Sequence, residues 1–303
     1  MAIATLTLNP ALDVTTCTEK VRPTHKLRCT APHFDPGGGG INVARAIHNL
    51  GGEVTAIFPS GGPAGAMIEQ LLGEEGVPIR AVPIAGAVRE SFTVDEGHPG
   101  DQYRFVLPGP ELSADEIAAL LAAISELDDV DYLVASGSLP PGCDPAIFCR
   151  LAKLGPKLVI DTSGPALATC EGAGVHLLKP SLRELEDLLD RKLEDEAEEE
   201  AAARELLDRG FAEIVVLSLG ERGALLATEG KVARYAAIPV EPQSTVGAGD
   251  SMVGAVVLAL SEGKSIEEAL RYGIAAGAAK LKLPATDLAS SEEVDRLYAG
   301  TGS

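Results

Sequence analysis

Basic side chains are scarce in this 303-residue sequence: 25 Lys and Arg stand against 45 Asp and Glu, giving a net charge of −20 and a pI near 4.6. A surplus of that sign repels phosphate backbones, so nucleic acid is not an expected partner. It also argues against attachment to a membrane through a polybasic segment. No apolar run approaches the roughly 20 residues of a membrane-spanning helix, because the longest are broken by Gly or charge. Met1–Leu8 lacks a basic leader and alternates like a strand, so it does not read as a signal peptide. The cysteines (Cys17, Cys29, Cys143, Cys149, Cys170) are odd in number and none forms a C-x-x-C pair. Neither a disulfide framework nor a zinc site is indicated, and the five histidines are scattered without metal spacing. These absences predict a cytoplasmic protein with reduced thiols.

What is present suits a large folded unit. A hydrophobic content of 46% is ample for a core and excludes disorder of the whole chain. Short β-branched runs (Ile3–Leu8, Val54–Pro59, Tyr132–Ser136, Leu158–Asp161, His176–Lys179, Ile214–Leu219) show little polar alternation, as strands buried on both faces do. Helical patterns lie between them. Ser113–Glu116, Ser181–Glu184 and Ser265–Glu268 each fit the capping box, and Gly51-Gly52 closes a helix starting near Ile41. The alternation predicts an α/β fold, a mostly parallel central sheet covered by helices on both faces.

Two stretches break the pattern. Val14–Phe34 and Arg89–Leu107 carry no helical stripe, and the second reads as a β-hairpin turning at Gly97–Asp101. A small β-structure beside the sheet edge, serving as a lid or a pairing surface, is expected. Alone it would leave a face and edges uncovered, which predicts a homodimer formed through it. The acidic run Glu194–Glu200 reads as a solvated helix face without function.

Familiar phosphate motifs fail. Gly263-Lys264-Ser265 ends like a P-loop, but Leu258 stands where the earlier glycine is required; Gly247-Ala248-Gly249 lacks the third glycine of a dinucleotide fingerprint, having Met252 there. Two glycine clusters remain, each before a helical pattern. Pro36–Arg45 (Pro-Gly-Gly-Gly-Gly-Ile-Asn-Val-Ala-Arg) lets a backbone approach a ligand, with Asn42 able to hydrogen-bond sugar hydroxyls; a flexible turn into the helix explains it equally. Ser244–Gly254 would converge the amides of Gly247, Ala248 and Gly249 into an anion nest, with Asp250 beside it as a base or merely as an acid favoured at a helix start.

With Gly-Gly-Gly-Gly-Ile-Asn at 37–42, Ser-Gly-Ser-Leu-Pro-Pro-Gly at 136–142 and Gly-Ala-Gly-Asp at 247–250, the chain resembles the ribokinase-like (PfkB) sugar kinases over its whole length. Within that family the likeness is to the minor, type-2 6-phosphofructokinases. The resemblance implies one ribokinase-like domain over 1–303, with a β lid from about 11–34 and 88–107. It implies ATP-dependent phosphorylation of fructose 6-phosphate at O1. Asp250 would be the base and Gly247, Ala248 and Gly249 the anion hole. Asp13, Gly38, Gly39, Asn42 and Ser138 would bind the sugar, with Arg89, Arg104 and Lys26 at its 6-phosphate, Lys26 supplied by a partner's lid.

For the nucleotide the same resemblance implicates Lys179, Ser181, Ser218, Gly220, Gly223 and Thr245, and the helix Tyr272–Lys280 beside adenine. Glu184 would organise Mg²⁺ through water, although Ser181 stands where the family has Asn and a plain capping box accounts for both residues. A monovalent cation such as K⁺ would be held by loop carbonyls, with Ser244, Val246 and Leu283–Asp287 as candidates. Related activities, 1-phosphofructokinase and tagatose-6-phosphate kinase, stay open, although those enzymes typically carry lysine at the position of Gly39. A non-catalytic sugar-phosphate sensor is disfavoured by the intact Asp250.

Overall fold

A computed structural model describes residues 2–97, 101–284 and 287–300. The chain runs β1 (Ala2–Leu6), β2 (Ala11–Thr18), β3 (His33–Gly37), α1 (Gly39–Asn49), β4 (Val54–Ser60), α2 (Gly62–Glu75), β5 (Ile79–Pro83), β6 (Arg89–Glu96) and β7 (Gln102–Val106). It continues α3 (Ala114–Ser125), β8 (Val130–Ser136), α4 (Ile147–Leu151), β9 (Lys157–Asp161), α5 (Pro165–Ala168), β10 (Leu177–Leu178), α6 (Leu182–Leu189), α7 (Glu196–Asp208) and β11 (Ile214–Ser218). The remaining elements are β12 (Ala224–Thr228), β13 (Lys231–Tyr235), α8 (Ala248–Ser261), α9 (Ile266–Leu281) and α10 (Ser291–Ala299).

A nine-stranded sheet has the order β13-β12-β11-β10-β9-β8-β1-β4-β5. Every pairing from β11 to β5 is parallel, and antiparallel β12 and β13 finish one edge. Strand residues of alternating parity feed two separate cores. Ile3, Ala56, Val134 and Val216 pack with α1, α2, α8 and α9, while Ala4, Ile57, Leu133 and Val215 pack with α3, α4 and α7. The layers are helix, sheet, helix, the arrangement that buries both faces of a parallel sheet. All three expected capping boxes form, each with the serine hydroxyl accepting from the glutamate amide and the glutamate carboxylate accepting from the serine amide.

The second sheet is β3-β2-β6-β7, built from two stretches well separated in sequence. β2 pairs parallel with β6, setting Ala11 opposite Arg89 and Asp13 opposite Ser91; β7 pairs antiparallel with β6, setting Arg104 opposite Thr93. The tip of this β6–β7 hairpin, expected at Gly97–Asp101, lies partly outside the described residues.

Three readings need correction. The four-glycine tract is not a flexible turn. Gly37 ends β3, Gly39 and Gly40 already belong to α1, and the chain reverses at Gly38 alone, with φ at 115°. Residues 19–32, read as part of a β stretch, lie outside helix and strand and are largely exposed. Glu199, inside the acidic run, is not a solvated face residue: it is 2% exposed and accepts from Arg222 Nη2 at 2.6 Å and Arg234 Nη1 at 2.8 Å. The run reads as uniformly polar because the partners of its one buried acid lie more than twenty residues further on.

Candidate active site

The carboxyl ends of the parallel strands and the start of α8 converge. Ser136 ends β8, Asp161 ends β9, and Lys179 follows β10 before Pro180 halts the strand. Gly247 is the N-cap of α8 with φ at 76°, a left-handed conformation that favours glycine. Asp250 therefore sits in the first turn, at the positive end of the helix. Asn42, from α1, donates its Nδ2 to Asp250 Oδ2 at 3.0 Å, and Ser136 Oγ lies 3.5 Å from Oδ1. The other amide atom of Asn42, Oδ1, is buried without a hydrogen-bond partner among the described residues.

Lys179 Nζ pairs with Asp161 Oδ1 at 3.1 Å, and a Cβ on Gly249 would lie 3.8 Å from that ammonium. Burial alone would lower the Lys179 ammonium, but Asp161, then Glu184 and Asp250, hold it raised, so it stays charged. Burial, and after it the Asp161 charge, push the Asp250 carboxyl up to about 6, against the opposing pull of Asn42, Lys179 and Ser136. A carboxyl poised there is ionised at neutral pH and basic enough to take a proton from a hydroxyl.

A second group lies in the small sheet. Burial raises the Asp13 carboxyl, while Arg104 and Arg89 beside it pull the other way. Arg89 is half-buried, and its guanidinium donates to Leu107 O and Asn9 O, both at 3.3 Å. Asn9 Nδ2 in turn donates to Ser138 Oγ at 3.0 Å. The glycine tract joins the two groups. A Cβ on Gly37 would sit 2.2 Å from Asp13 Oδ2, one on Gly38 2.6 Å from Thr7 Cγ2, and one on Gly39 2.3 Å from Ser136 Oγ. Asp13, Arg89, Arg104, Ser138, Gly38, Gly39, Asn42 and Asp250 are thus brought together. Lys26 is not: it lies on the exposed 19–32 loop, and no hydrogen bond or ion pair among the described residues ties it to this cluster.

On the other flank, Ser181 and Glu184 cap α6, with Ser181 N donating to Glu184 Oε2 at 2.7 Å. Ser218 bridges to Ser181 and donates its amide to Pro180 O at 2.9 Å. Gly220 and Gly223 both have positive φ, and a Cβ on Gly223 would fall 2.0 Å from Tyr235 O, so that glycine is required by packing against β13. Thr245 is exposed in the turn before α8, and Ser244 Oγ accepts from Val246 N at 3.2 Å. Tyr272 faces α10, donating to Asp295 Oδ1 at 3.2 Å, whereas Lys280 faces the start of α8.

The model of the pfkB family carbohydrate kinases matches residues 7–293. The chain belongs to this family. It is 50% identical over 301 residues to the ATP-dependent 6-phosphofructokinase isozyme 2 of Mycobacterium tuberculosis, covering 98% of this chain and 88% of the relative. Crystal structures of Escherichia coli phosphofructokinase-2, one in complex with fructose 6-phosphate and one with potassium, superpose with TM-scores of 0.92 and 0.95. Each is 43% identical to this chain and covers 99% of both chains.

Among the described residues no group of three or more His, Cys, Asp or Glu could hold a metal ion. Glu184 retains one carboxylate oxygen beyond its cap, and Asp161 is engaged by Lys179. This fits Mg²⁺ delivered with phosphates and keeping its waters, rather than an all-protein cage. Sequence reasoning missed Asp161. Its signal was there: an acid ending an apolar strand at the carboxyl edge of a parallel sheet, where ligands bind.

Proposed function

We propose that this chain transfers the γ-phosphoryl group of ATP to O1 of fructose 6-phosphate, giving fructose 1,6-bisphosphate and ADP. The observation that carries the reading is Asp250, half-buried at the positive end of α8, next to the Gly247–Gly249 amides and held by Asn42 and Ser136. In this reading Asp250 accepts the O1 proton as O1 attacks the γ-phosphorus. The amides and Lys179 stabilise charge on the phosphoryl oxygens as the bond to the β-phosphate oxygen breaks. Arg89 and Arg104 hold the remote 6-phosphate, Arg through its planar fork, and Asp13, Asn42 and Ser138 orient the sugar. Mg²⁺, when bound near Glu184, neutralises phosphate charge.

Release of ADP measured with fructose 6-phosphate, fructose 1-phosphate and tagatose 6-phosphate tests the substrate. The highest kcat/KM is expected for fructose 6-phosphate, and a preference for fructose 1-phosphate overturns the assignment. Arg89→Ala should raise KM for fructose 6-phosphate roughly 10–100-fold, the worth of a charge-assisted contact, with KM for ATP little changed.

The small sheet favours a homodimer. β7 is one of its two edge strands, and Phe105 and Val106 in it and Leu107 just after it are exposed at 54%, 63% and 45%; a bare apolar edge is a pairing surface. Sedimentation at micromolar concentration should show a dimer, and Phe105→Glu should yield monomer; a fully active monomeric wild type refutes this.

A further inference from the structure

The 219–223 turn leaves β11 at its carboxyl end, the edge of a parallel sheet where ligands bind. It lies on the flank opposite Asp13 and Arg89, one strand beyond Lys179, which follows β10. A Cβ on Gly220, whose φ is 61°, would meet nothing within 4 Å, so the turn faces open space there. Two backbone bonds close it: Leu219 N donates to Gly223 O at 2.8 Å and Gly223 N to Gly220 O at 3.0 Å. After β12 the chain returns as β13 and passes into residues 235–239. With Arg271, Ile274 and Leu297 these line a cavity of about 440 Å³, large enough for a heteroaromatic base.

One buried carboxylate holds both the turn and the cavity wall. Glu199, on α7, engages Arg222 of the turn with both oxygens, Oε1 accepting from Nη2 at 2.6 Å and Oε2 from Nη1 at 3.2 Å. Its Oε2 also accepts from Arg234 Nη1 at 2.8 Å, one residue before Tyr235 begins the cavity wall. Arg234 is fixed further along α7, donating to Glu196 O at 2.7 Å and Glu200 Oε1 at 3.1 Å. Burial raises the Glu199 carboxyl, but the two guanidiniums outweigh it and hold it below its ordinary value, so it stays charged. A buried ion group returns little stability, since apolar side chains of similar volume often do as well. What the planar fork of arginine supplies is a fixed distance and orientation.

We propose that Glu199 is a positioning residue for the nucleotide: through Arg222 and Arg234 it sets the 219–223 turn against the wall of the neighbouring cavity, so that a nucleoside di- or triphosphate meets both already in place. The proposal rests on the reading that ATP is the phosphoryl donor. The network is confined to α7, the turn and β13, so it leaves the sugar phosphate and the chemical step untouched.

Binding of MgADP is to be titrated by calorimetry to wild type, Glu199→Gln, Arg222→Met and the double variant, at a temperature where each is fully folded by circular dichroism. Glu199→Gln should weaken MgADP about tenfold and raise KM for ATP to match, with kcat and KM for the sugar phosphate unchanged. The double variant should bind no more weakly than the weaker single variant, because both substitutions act through one contact. A folded Glu199→Gln with wild-type affinity for MgADP reduces the network to a structural one and overturns the proposal. Additive losses in the double variant also overturn it, since Arg222 would then contact the nucleotide independently of Glu199. Should Glu199→Gln not fold, Arg234→Met removes the other arm of the network and is read by the same two outcomes, weakened or unchanged MgADP. A wild type that binds MgADP but turns over no sugar phosphate sinks the proposed reaction and leaves this test standing, whereas one that binds no MgADP overturns both.

Discussion

Asp250→Asn should make the protein more stable while nearly abolishing its turnover. In the folded chain the Asp250 carboxyl is pushed from 3.8 up to about 6. An acid with a raised folded pKa favours the native state while protonated, fully so below 3.8. That advantage is lost as pH rises through 6, because the unfolded chain releases its proton more readily. The shift of about 2.2 units, at 1.36 kcal/mol each, amounts to about 3 kcal/mol of destabilisation at pH 8. At pH 5 roughly half of it remains, since the native carboxyl is then mostly protonated. Asparagine removes the charge and keeps an oxygen to accept from Asn42. It also leaves Lys179 and Asp161 as a balanced pair. Thermal unfolding at pH 8 should place the variant about 5 °C above wild type, with about half that margin at pH 5. In parallel kcat should fall roughly 10²–10⁴-fold, the usual contribution of a general base. A variant no more stable than wild type at pH 8, or equally stabilised at pH 5 and 8, would refute the electrostatic reasoning. Near-normal kcat would reduce Asp250 to a helix-start residue.

Other expectations follow from separate contacts. In wild type, kcat/KM expressed against the sugar-phosphate dianion should be half-maximal near pH 6 and fall about tenfold per unit below it, as required of a base ionising there. Gly39→Ala puts a Cβ 2.7 Å from Gly137 N as well as against Ser136 Oγ, so it should cost about 1–3 kcal/mol in a melting experiment and lower kcat by displacing Ser136 from Asp250. Glu199→Gln should destabilise the chain by about 1–2 kcal/mol in urea without altering KM for the sugar phosphate, because it weakens a buried acceptor of Arg222 and Arg234.

The sequence disclosed most where local chemistry decides structure. Strands buried on both faces announce themselves by unbroken apolar runs, and Ser-x-x-Glu spacing marked three helix starts to the residue. Asp250 and its glycines were legible because the whole constellation lies within four consecutive positions. What escaped depends on distance along the chain. Asn42 reads as a free sugar-binding amide, yet its Nδ2 is spent on a carboxylate 208 positions away. Asp161 matters through Lys179 and Asp250, and Glu199 through Arg222 and Arg234. The glycine tract misled for a different reason. Its residues are dictated by clashes with Thr7, Asp13 and Ser136, none of them a sequence neighbour, rather than by a need for flexibility.

The position of β1 has a consequence for biosynthesis. Residues 2–6 leave the ribosome long before residues 130–135, yet β1 lies in the interior of the nine-stranded sheet, between β4 and β8. Ile3–Leu6 can pair with β4 once residues 54–57 have emerged, but its other edge waits for residues 130–135. At about 5–20 residues per second, several seconds pass with that apolar edge uncovered on the nascent chain. Slow translation between β4 and β8 would lengthen this exposure and invite pairing with a neighbouring chain, whereas a synonymous change that speeds it should raise soluble yield without altering a single amino acid.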